Sequence, residues 1–453
     1  MASPDPGSFR DPASRVIIDE GRVIRLLDQR GLAAWEALSA SPFLAEAVAS
    51  GDIVASAPID YHHDGAAGAL EHPRLALITY PYEWTFSMLK DAALLQLDLL
   101  ERALGAGLTI KDATPFNVQF DRGRPVFIDI GSFEKYQPGE PWLGYRQFTR
   151  QFLFPLMLRA WAEIPFQAWL RGDMEGPTAA QMRQILGGWN RWRPSTLLHV
   201  SLQARMEEKM SGSAVRGELK TAGFNADLIL ANVRRLRSLV DSLAWAPDAE
   251  GWTDYHACTH VGRDRQAKSE FLTSVIGRLR PRTVLDLGAN DGHFARLAAD
   301  HGAHAVAVDG DEGVLDDLYR RSRGVSLSVV LTDLTNPTPS QGWAGVERPG
   351  LFQRVRPDLV IAYGLIHHLI YTASIPPRSV LQWLRSLDTA VALEFVAPGD
   401  EMVIKLTANK LSHELHPGRN EDEFRRMLDE LFEIKAEQSL GSGSRVLFEL
   451  TPR

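Results

Sequence analysis

Cysteine, excess positive charge and long apolar runs are scarce in this sequence of 453 residues. Cys258 is the only cysteine, so an intramolecular disulfide is excluded. With 49 Lys and Arg residues against 57 Asp and Glu residues, the formal net charge is -8, which disfavours a protein that binds nucleic acid through its phosphates. No basic start followed by an apolar run opens the chain, and apolar stretches such as 152–158 are far shorter than the roughly 20 residues of a membrane span. These absences predict a cytoplasmic globular protein without a nucleic-acid partner or a membrane span.

The length of the chain predicts more than one domain. Hydrophobic residues make up 45% of the chain and charged residues 23%, a balance that is typical of globular proteins. At about 100–200 residues per domain, two or three domains are expected. The composition shifts near 246–251, so we expect one module at 1–245 and a second at 246–453. Nothing in the pattern indicates an oligomeric state.

The first module begins with a mixture of strand and helix patterns. β-branched residues at 15–27 predict a hairpin, and a helix is expected at 32–49 with a break near Pro42. The segment 74–80 predicts a strand, and the leucine-rich segment 88–104 predicts a helix. This mixture favours an α+β module.

In the second module, short apolar segments alternate with helical ones. The predicted strands are 282–287, 304–309, 326–331, 358–363 and 389–395. Continuous apolar strands that alternate with helices predict a parallel α/β sheet covered on both faces. The last two strand-like segments, 431–437 and 445–450, are joined by a Gly/Ser-rich turn and predict an antiparallel hairpin.

The end of the first of these strands carries the most informative residues. Asp286 is followed by Gly288, Asn290 and Gly292, and then by a helical segment. Glycines allow a tight turn and a close approach of ligand to backbone, and the start of a helix offers unpaired N–H groups. Asp309 closes the next strand, where a carboxylate can accept both hydroxyls of a ribose. The pattern predicts a nucleoside site at the carboxyl edge of the sheet.

Two common nucleotide fingerprints do not fit this loop. Asn290 and His293 stand where the dinucleotide fingerprint requires glycines, and the phosphate-binding P-loop pattern is absent. The run Asp286, Gly288, Asn290, Gly292 instead resembles motif I, D-x-G-x-N-x-G, of the class I S-adenosylmethionine-dependent methyltransferases. The terminal hairpin is also similar to that fold. The resemblance implies a Rossmann-like seven-stranded sheet and S-adenosylmethionine as the cofactor.

The resemblance also implies roles for individual residues. Asp286 and the turn 288–292 would hold the methionine part of the cofactor, and Asp309 its ribose. Asp333, after the third strand, would meet the adenine amine, although a lone Asp in this place is also typical of a turn or a helix cap.

A segment upstream of motif I carries further candidates. Trp252 and Tyr255, with Lys268 downstream, resemble the W-x-x-Y and Lys of nodulation-protein-type methyltransferases. The resemblance implies that the two aromatic residues form a lid and that Lys268 lies near the cofactor carboxylate. A His-x-Cys-x-His run at 256–260 is an alternative zinc site, but a fourth ligand is not evident, so no metal is expected.

The segment after the fourth strand supplies the catalytic candidates. Tyr363, which ends that strand, is a further cofactor-binding candidate, and His367 and His368 follow it. A histidine there can remove the proton of an alcohol acceptor, and His367 is favoured because it lies nearer the strand; the alternative is a polar residue that caps the next helix. The Asn/Asp-Pro-Pro-Tyr/Phe stretch of amino-methylating enzymes is absent, which favours an oxygen acceptor. Further candidates for acceptor contacts are Glu394, His413 and His416.

The first module has a motif of its own. Asp112 and Asn117 form D-x-x-x-x-N, and Asp129 opens D-x-G, which resembles the catalytic loop and metal-binding motif of kinase-like and aminoglycoside-phosphotransferase-like folds. In such folds the first Asp orients a hydroxyl, while the Asn and the second Asp hold magnesium. No Gly-rich nucleotide loop is visible and no lysine precedes Lys90. We therefore expect a degenerate kinase-like domain that binds the acceptor or shapes the methyltransferase.

In kinases a lysine on a strand pairs with the phosphates of the nucleotide, and this chain has no lysine before Lys90. Arg22 or Arg25 could take that place, although arginine is not a conservative replacement there.

The leading hypothesis is methyl transfer from S-adenosylmethionine to oxygen of a small metabolite or glycan. The alternatives are a bifunctional kinase and methyltransferase, or a non-catalytic scaffold that retains nucleoside pockets.

Overall fold

The chain divides into two units near residue 246. A computed structural model describes residues 2–188, 190, 193, 195–196, 199–200, 226–247 and 261–453. The first unit comprises Met1–Ala246 and Ser340–Pro349, and the second comprises Pro247–Pro339 and Gly350–Arg453. The segment Ser340–Pro349 interrupts the sequence of the second unit but belongs to the first, and its Glu347 pairs with Arg10 at 2.7 Å. In the described chain, no helix combines the length and apolar character needed to cross a membrane.

The first unit contains a five-stranded antiparallel sheet in the order β1-β2-β3-β5-β4. Its strands are β1 Ser3–Pro4, β2 Ser14–Asp19, β3 Arg22–Leu27, β4 Ala57–Ile59 and β5 Gly68–His72. The expected hairpin is confirmed: Glu20 and Gly21 turn the chain with φ of 50° and 86°. Two smaller antiparallel pairs join β6 Leu108–Ile110 to β9 Phe133–Lys135 and β7 Val118–Asp121 to β8 Arg124–Phe127.

The strand predicted at 74–80 is wrong. The chain forms β5 at Gly68–His72, before this segment and opposite β3, and is irregular through 74–80. The amide side chain of Gln119 accepts from the Thr79 N–H at 2.8 Å and donates to the Thr79 carbonyl at 3.0 Å. A side chain thus satisfies backbone groups that a neighbouring strand would otherwise pair.

The described part of the first unit also contains helices. Thr85 caps the helix predicted at 88–104, and Ser41 with Pro42 begins a new helix at the expected break. The α-helices among the described residues of this unit are Gln29–Ser39, Pro42–Ala49, Phe86–Gly105, Tyr145–Phe148, Phe154–Ala162, Phe166–Gly172, Ala179–Ile185 and Ala226–Ser242. The unit is α+β, and a kinase-like fold for it stays a prediction.

The second unit contains a seven-stranded sheet in the order β12-β11-β10-β13-β14-β16-β15. Its strands are β10 Thr283–Leu287, β11 His304–Asp309, β12 Leu327–Leu331, β13 Leu359–Ala362, β14 Ala390–Val396, β15 Phe432–Ser439 and β16 Arg445–Pro452. The first five are parallel, and β16 pairs antiparallel with both β14 and β15. The expected sheet with its terminal hairpin is confirmed.

Helices accompany this sheet, and its parallel strands are buried along nearly their whole length. The α-helices are Val261–Leu279, His293–Asp300, Glu312–Arg321, Leu351–Arg354, Pro377–Ser386, Glu401–Thr407 and Glu421–Leu431. Because the five parallel strands share one direction, the residues that follow them meet at one edge of the sheet, where ligands of such folds bind.

Candidate functional site

A cavity of about 690 Å³ lies at the carboxyl edge of the parallel strands of the second unit. Loops after β10, β11, β12 and β13 contribute to its wall, together with the turn before β16. Its size is within the range of small-molecule sites. The predicted site residues that line it are Lys268, Gly288, Asn290, Asp309, Asp333, Tyr363 and His368.

The loop after β10 turns through left-handed backbone conformations. Gly288, Asn290 and Gly292 have φ of 72°, 46° and 75°. At Gly292 a side chain would also collide with its surroundings, because an added Cβ would lie 2.4 Å from Cδ1 of the buried Leu318. A residue with a side chain is therefore strained at this position in both backbone and packing.

Asp309 ties this loop to the next one. Its Oδ2 accepts from the Asn290 N–H at 2.8 Å, and its Oδ1 accepts from the Asp311 N–H at 2.9 Å. Burial raises the pKa of Asp309 above its usual value. Because a carboxylate has about four acceptor sites, the two hydrogen bonds hold its orientation and leave capacity for two hydroxyls of a ligand.

Asp286 lies behind the loop. It is 1% exposed, does not line the cavity and accepts from the Ala295 N–H at 2.9 Å. Burial raises the pKa of Asp286 to about 7. Asp286 therefore holds the start of the helix His293–Asp300, and Gly292, which also does not line this cavity, lets the chain enter that helix.

Asp333 is exposed at the cavity rim, next to the end of β12. Its Oδ1 accepts from the N–H and the hydroxyl of Thr335, each at 2.8 Å. This is a turn-stabilising pattern, as the alternative interpretation of this residue supposes. The same residue also faces the cavity, so the two interpretations are compatible.

A network of two cations and two carboxylates lies beside the cavity. Glu394, fully buried within β14, contacts Lys268 Nζ at 2.8 Å and Arg445 Nη1 at 3.2 Å through Oε1. Its Oε2 accepts from the Gly364 N–H at 2.7 Å. Arg445 also pairs with Asp400 through two nitrogens, at 2.8 and 2.9 Å. Glu394 itself does not line the cavity. The network connects four residues that do line it: Lys268, Gly364, Asp400 and Arg445.

Positive charge controls the ionisation of these carboxylates. Burial alone would raise the pKa of Glu394, but Lys268 and Arg445 outweigh it and lower that pKa below the usual value. Burial is likewise outweighed at Asp400, where hydrogen bonds from Arg445 and Ser444 lower the pKa to about 2. Both carboxylates are therefore ionised at neutral pH.

The two adjacent histidines occupy different environments. His368 begins a wide helical turn, His368–Thr372, and lines the cavity. His367 is 1% exposed and does not line it, so the structure favours His368, the reverse of the expected order. Burial lowers the pKa of both, to about 4 for His368. His413 and His416 also do not line the cavity, and His416 instead contacts the Ser374 carbonyl at 2.9 Å.

The upstream aromatic candidates Trp252 and Tyr255 lie outside the described residues, as does the run at 256–260. Within the parts of the chain that the structure describes, no group of three or more His, Cys, Asp or Glu side chains has metal-binding geometry.

In the first unit, the predicted kinase-like residues form a polar cluster. Arg25 Nη1 lies 2.8 Å from Asp129 Oδ1, and the Ser132 hydroxyl donates to Asp129 Oδ2. Asn117 donates to the Ser132 hydroxyl at 3.1 Å. Burial raises the pKa of Asp112, and Asp129 adds to the increase. Both oxygens of Asp129 are therefore engaged by side chains of the protein itself.

A curated relative settles the family of the chain. Nodulation protein NoeA of Rhizobium meliloti (strain 1021) is 32% identical over 463 residues, an alignment that covers 99% of this chain and 96% of the relative. The chain belongs to the NoeA family of nodulation proteins. No protein-family model matches it.

Solved structures resemble part of this NoeA-family chain. Magnesium protoporphyrin IX methyltransferase of Synechocystis PCC 6803, with bound S-adenosylhomocysteine, is 17% identical, covers 45% of this chain and 95% of its own, and has a TM-score of 0.31. The N-methyltransferase NodS of Bradyrhizobium japonicum WM9 is 12% identical, covers 42% and 98% of the two chains, and has a TM-score of 0.30. Both TM-scores are low.

Two residues that matter in this NoeA-family site were missed by the sequence reasoning. Arg445 and Asp400 both line the cavity and pair with each other. Arg445 lies opposite Val396 in the antiparallel pairing of β16 with β14, so the predicted hairpin carried a signal for its position at this edge. Asp400 follows β14 in a loop, and no local pattern in the sequence predicts where that loop lies.

Proposed function

We propose that this protein is an S-adenosylmethionine-dependent methyltransferase that methylates oxygen of a small metabolite or a glycan. The observation that carries the proposal is the position of Asp309, Asn290 and Gly288 together on the wall of one cavity. When bound, the cofactor supplies a methyl group on a sulfonium. In the proposed arrangement Asp309 binds the ribose hydroxyls, Asp333 the adenine amine, and the loop 288–292 the methionine part.

The residues present fit such a cofactor. The buried hydroxyl oxygens of Tyr363 and Ser442 belong to residues that line the cavity, and neither has a hydrogen-bond partner among the described residues. Buried hydroxyls are rarely left unpaired in native proteins, so a polar ligand is a natural partner for them. The carboxylate of Asp309 keeps acceptor capacity on the same wall.

His368 is the candidate for removing a proton from an alcohol acceptor. It lines the cavity, and its lowered pKa keeps its imidazole unprotonated at neutral pH, as a base requires. The same low pKa makes it a weak base, so alignment of the acceptor would contribute much of the rate. Lys268 would lie near the carboxylate of the cofactor, and Trp252 and Tyr255 would cover it.

For the first unit, we favour a kinase-like fold that does not transfer phosphoryl groups. In kinases the carboxylate that corresponds to Asp129 holds magnesium. Here the buried Arg25 guanidinium lies against that carboxylate, and Ser132 occupies its other oxygen. This arrangement supports an accessory or acceptor-binding role for residues 1–245 rather than a bifunctional kinase.

Replacement of Asp309 tests the cofactor site. The Asp309→Ala change removes the acceptor of both proposed ribose hydrogen bonds. Each hydrogen bond to a charged group contributes about 1.5–3 kcal/mol, so the affinity for S-adenosylhomocysteine is expected to fall at least about 100-fold. Titration calorimetry on the full-length protein measures it.

The matched control is Asp317→Ala. Asp317 is a half-exposed carboxylate of the same unit, paired with Arg321 at 2.7 Å, and it does not line the cavity. Its variant is expected to bind like the wild type. Absence of binding by the wild type, or equal binding by Asp309→Ala, contradicts the proposed function.

Replacement of His368 separates an enzyme from a scaffold that only binds nucleoside. We expect His368→Ala to lower methyl transfer about 100-fold or more while leaving the affinity for S-adenosylhomocysteine within about twofold. In the wild type we expect the rate of methyl transfer to fall as the pH decreases through about 4, because a protonated His368 imidazole cannot take up the proton of the acceptor. Transfer of labelled methyl groups from S-adenosylmethionine into bacterial extracts provides the assay.

His301→Ala is the control, because His301 is exposed and does not line the cavity. If His368→Ala retains full transfer, proton removal by this residue is wrong. If the wild type binds cofactor but transfers no methyl group to any fraction of the extract, the scaffold alternative replaces the enzyme.

A further inference from the structure

The segment Ser340–Pro349, here called the arm, forms a small hairpin of its own. Gln341 and Arg348 pair across it, and the N–H of each donates to the carbonyl of the other, at 2.9 and 3.0 Å. Inside the hairpin, Glu347 Oε2 accepts from the Trp343 N–H at 2.8 Å. The hydrogen bonds of the arm therefore fix its shape, and it moves as one piece.

A two-point ion pair holds the arm on the first unit. Arg10 donates from Nε to Glu347 Oε1 at 2.9 Å and from Nη2 to Glu347 Oε2 at 2.7 Å. Glu347 is 2% exposed, and the hydrogen bonds from Arg10 lower its pKa below the usual value. The guanidinium of Arg348 lies 4.5 Å from the centroid of the Phe116 ring. Because a buried carboxylate is costly without its partner, Arg10 determines where the arm is held.

The arm begins and ends beside a turn on the rim of the cavity. This turn, 333–336, is closed by the Asn336 N–H, which donates to the Asp333 carbonyl at 3.0 Å, and Asp333 lines the cavity. Thr338 lies two residues before the arm, and its carbonyl accepts from the N–H of Leu351, just after the arm, at 3.1 Å. One hydrogen bond thus closes the base of the arm, so the position of the arm affects that of Thr338.

The rim turn depends on anchors at its two ends. Three of the four residues at 333–336 are exposed. On one side Thr332, directly after β12, donates from its N–H to the Asp309 carbonyl at 2.8 Å. On the other side is Thr338, which is 5% exposed and whose hydroxyl lies 3.4 Å from that of Thr332. A turn with few buried contacts takes its position from such anchors. One anchor belongs to the sheet, and the other belongs to the chain that enters the arm.

We propose that the first unit, by binding the arm, holds the adenine side of the cavity in its ligand-binding arrangement, and that Arg10 is a positioning residue for Asp333. The inference rests on the proposed function, in which Asp333 meets the adenine amine. It gives the first unit a definite accessory role. Release of the arm leaves the sheet and the ribose contact at Asp309 in place, but it lets the turn 333–336 move.

A double-mutant cycle tests this inference. Titration calorimetry on the full-length protein measures the affinity for S-adenosylhomocysteine in the wild type, Arg10→Ala, Asp333→Ala and the double variant. We expect Asp333→Ala to weaken binding about 10-fold or more, as a lost hydrogen bond to a charged group does. Coupling between distant sites changes affinity at least about fivefold, so Arg10→Ala is expected to weaken binding by about that factor. Because Arg10 acts through Asp333, the double variant should bind within about twofold of Asp333→Ala.

Arg22→Ala is the matched control. Arg22 also belongs to the first unit and donates from the same two nitrogens to both oxygens of Glu71, at 2.8 and 2.7 Å, but Glu71 lies in β5 and not in the arm. This variant is expected to bind S-adenosylhomocysteine within about twofold of the wild type. Arg10→Lys keeps the charge without the two-point geometry and should recover part of the affinity that Arg10→Ala loses.

The Arg10 side chain is 63% exposed, so we expect its variants to fold, which thermal unfolding checks. If Arg10→Ala does not fold, Arg10→Lys takes its place in the cycle. Unchanged binding by the Arg10 variant, an equal loss in Arg22→Ala, or a loss that adds fully to that of Asp333→Ala overturns the inference and leaves the proposed function standing. If the wild type does not bind S-adenosylhomocysteine, the proposed function falls and the inference falls with it.

Discussion

Replacing Glu394 with alanine is expected to destabilise the protein by about 3–5 kcal/mol, the usual cost of leaving buried charge uncompensated. Glu394 is fully buried and is the carboxylate that Lys268 and Arg445 share. Its removal leaves the Lys268 ammonium without that partner and the Gly364 N–H without its acceptor. Urea unfolding followed by circular dichroism measures the change in the free energy of unfolding.

A surface carboxylate serves as the comparison. Glu437 pairs with Arg425 at 2.6 Å but is 51% exposed, so Glu437→Ala is expected to change stability by less than about 1 kcal/mol. Glu394→Gln keeps an acceptor without the charge and is expected to lie between the two. A Glu394→Ala protein as stable as the wild type contradicts the importance of this network.

The network also predicts a pH dependence. The pKa values of Glu394 and Asp400 are lower in the folded protein than in the unfolded chain. The unfolded chain therefore binds more protons as the pH falls, so the stabilisation is complete above the unfolded pKa values near 4 and is lost as the pH approaches about 2, the folded pKa of Asp400. The difference in stability between wild type and Glu394→Ala should accordingly be larger at pH 7 than at pH 3.

A second large effect is expected for Gly292→Ala. The residue has φ of 75°, and its added Cβ would lie 2.4 Å from Cδ1 and 2.5 Å from Cδ2 of Leu318. The left-handed backbone costs about 1–2 kcal/mol and overpacking about 1–3 kcal/mol, so the free energy of unfolding is expected to fall by about 2–5 kcal/mol. The affinity for S-adenosylhomocysteine should fall with it, because the loop 288–292 must shift.

Gly302→Ala isolates the backbone contribution. Gly302 has φ of 92°, and a Cβ there meets nothing within 4 Å. Its variant should lose only the backbone part and bind cofactor normally. Leu318→Ala combined with Gly292→Ala should cost less than the sum of the two single changes, because the collision is relieved. Equal destabilisation by the two glycine replacements would show that packing against Leu318 does not matter.

The parallel sheet could be predicted closely because its strands are buried on both faces. Continuous apolar runs located β10 to β14 to within about a residue, and the glycines and acids of the next loop indicated the cavity. In contrast, 74–80 has the composition of a strand, but Gln119, distant in sequence, satisfies its backbone at Thr79. Such a pairing has no local signature.

The direction in which a side chain points is the second feature that the sequence pattern does not predict. His367 and His368 have the same chemistry, and only the turn His368–Thr372 decides which of them lines the cavity. Glu394 was predicted to contact an acceptor, yet Lys268 and Arg445 engage it inside the protein. Spacing identifies the edge of the sheet at which a residue lies, whereas packing by distant segments determines what it touches.

The segment Ser340–Pro349 has a consequence for how the chain is made. It belongs to the first unit, and its Glu347 pairs with Arg10, 337 residues earlier. On the ribosome the amino-terminal 246 residues emerge well before this segment does, so the first unit stays incomplete until β10, β11 and β12 have been synthesised. We therefore expect folding of the first unit to finish only after the ribosome has synthesised part of the second, which departs from the usual amino-terminal-first order.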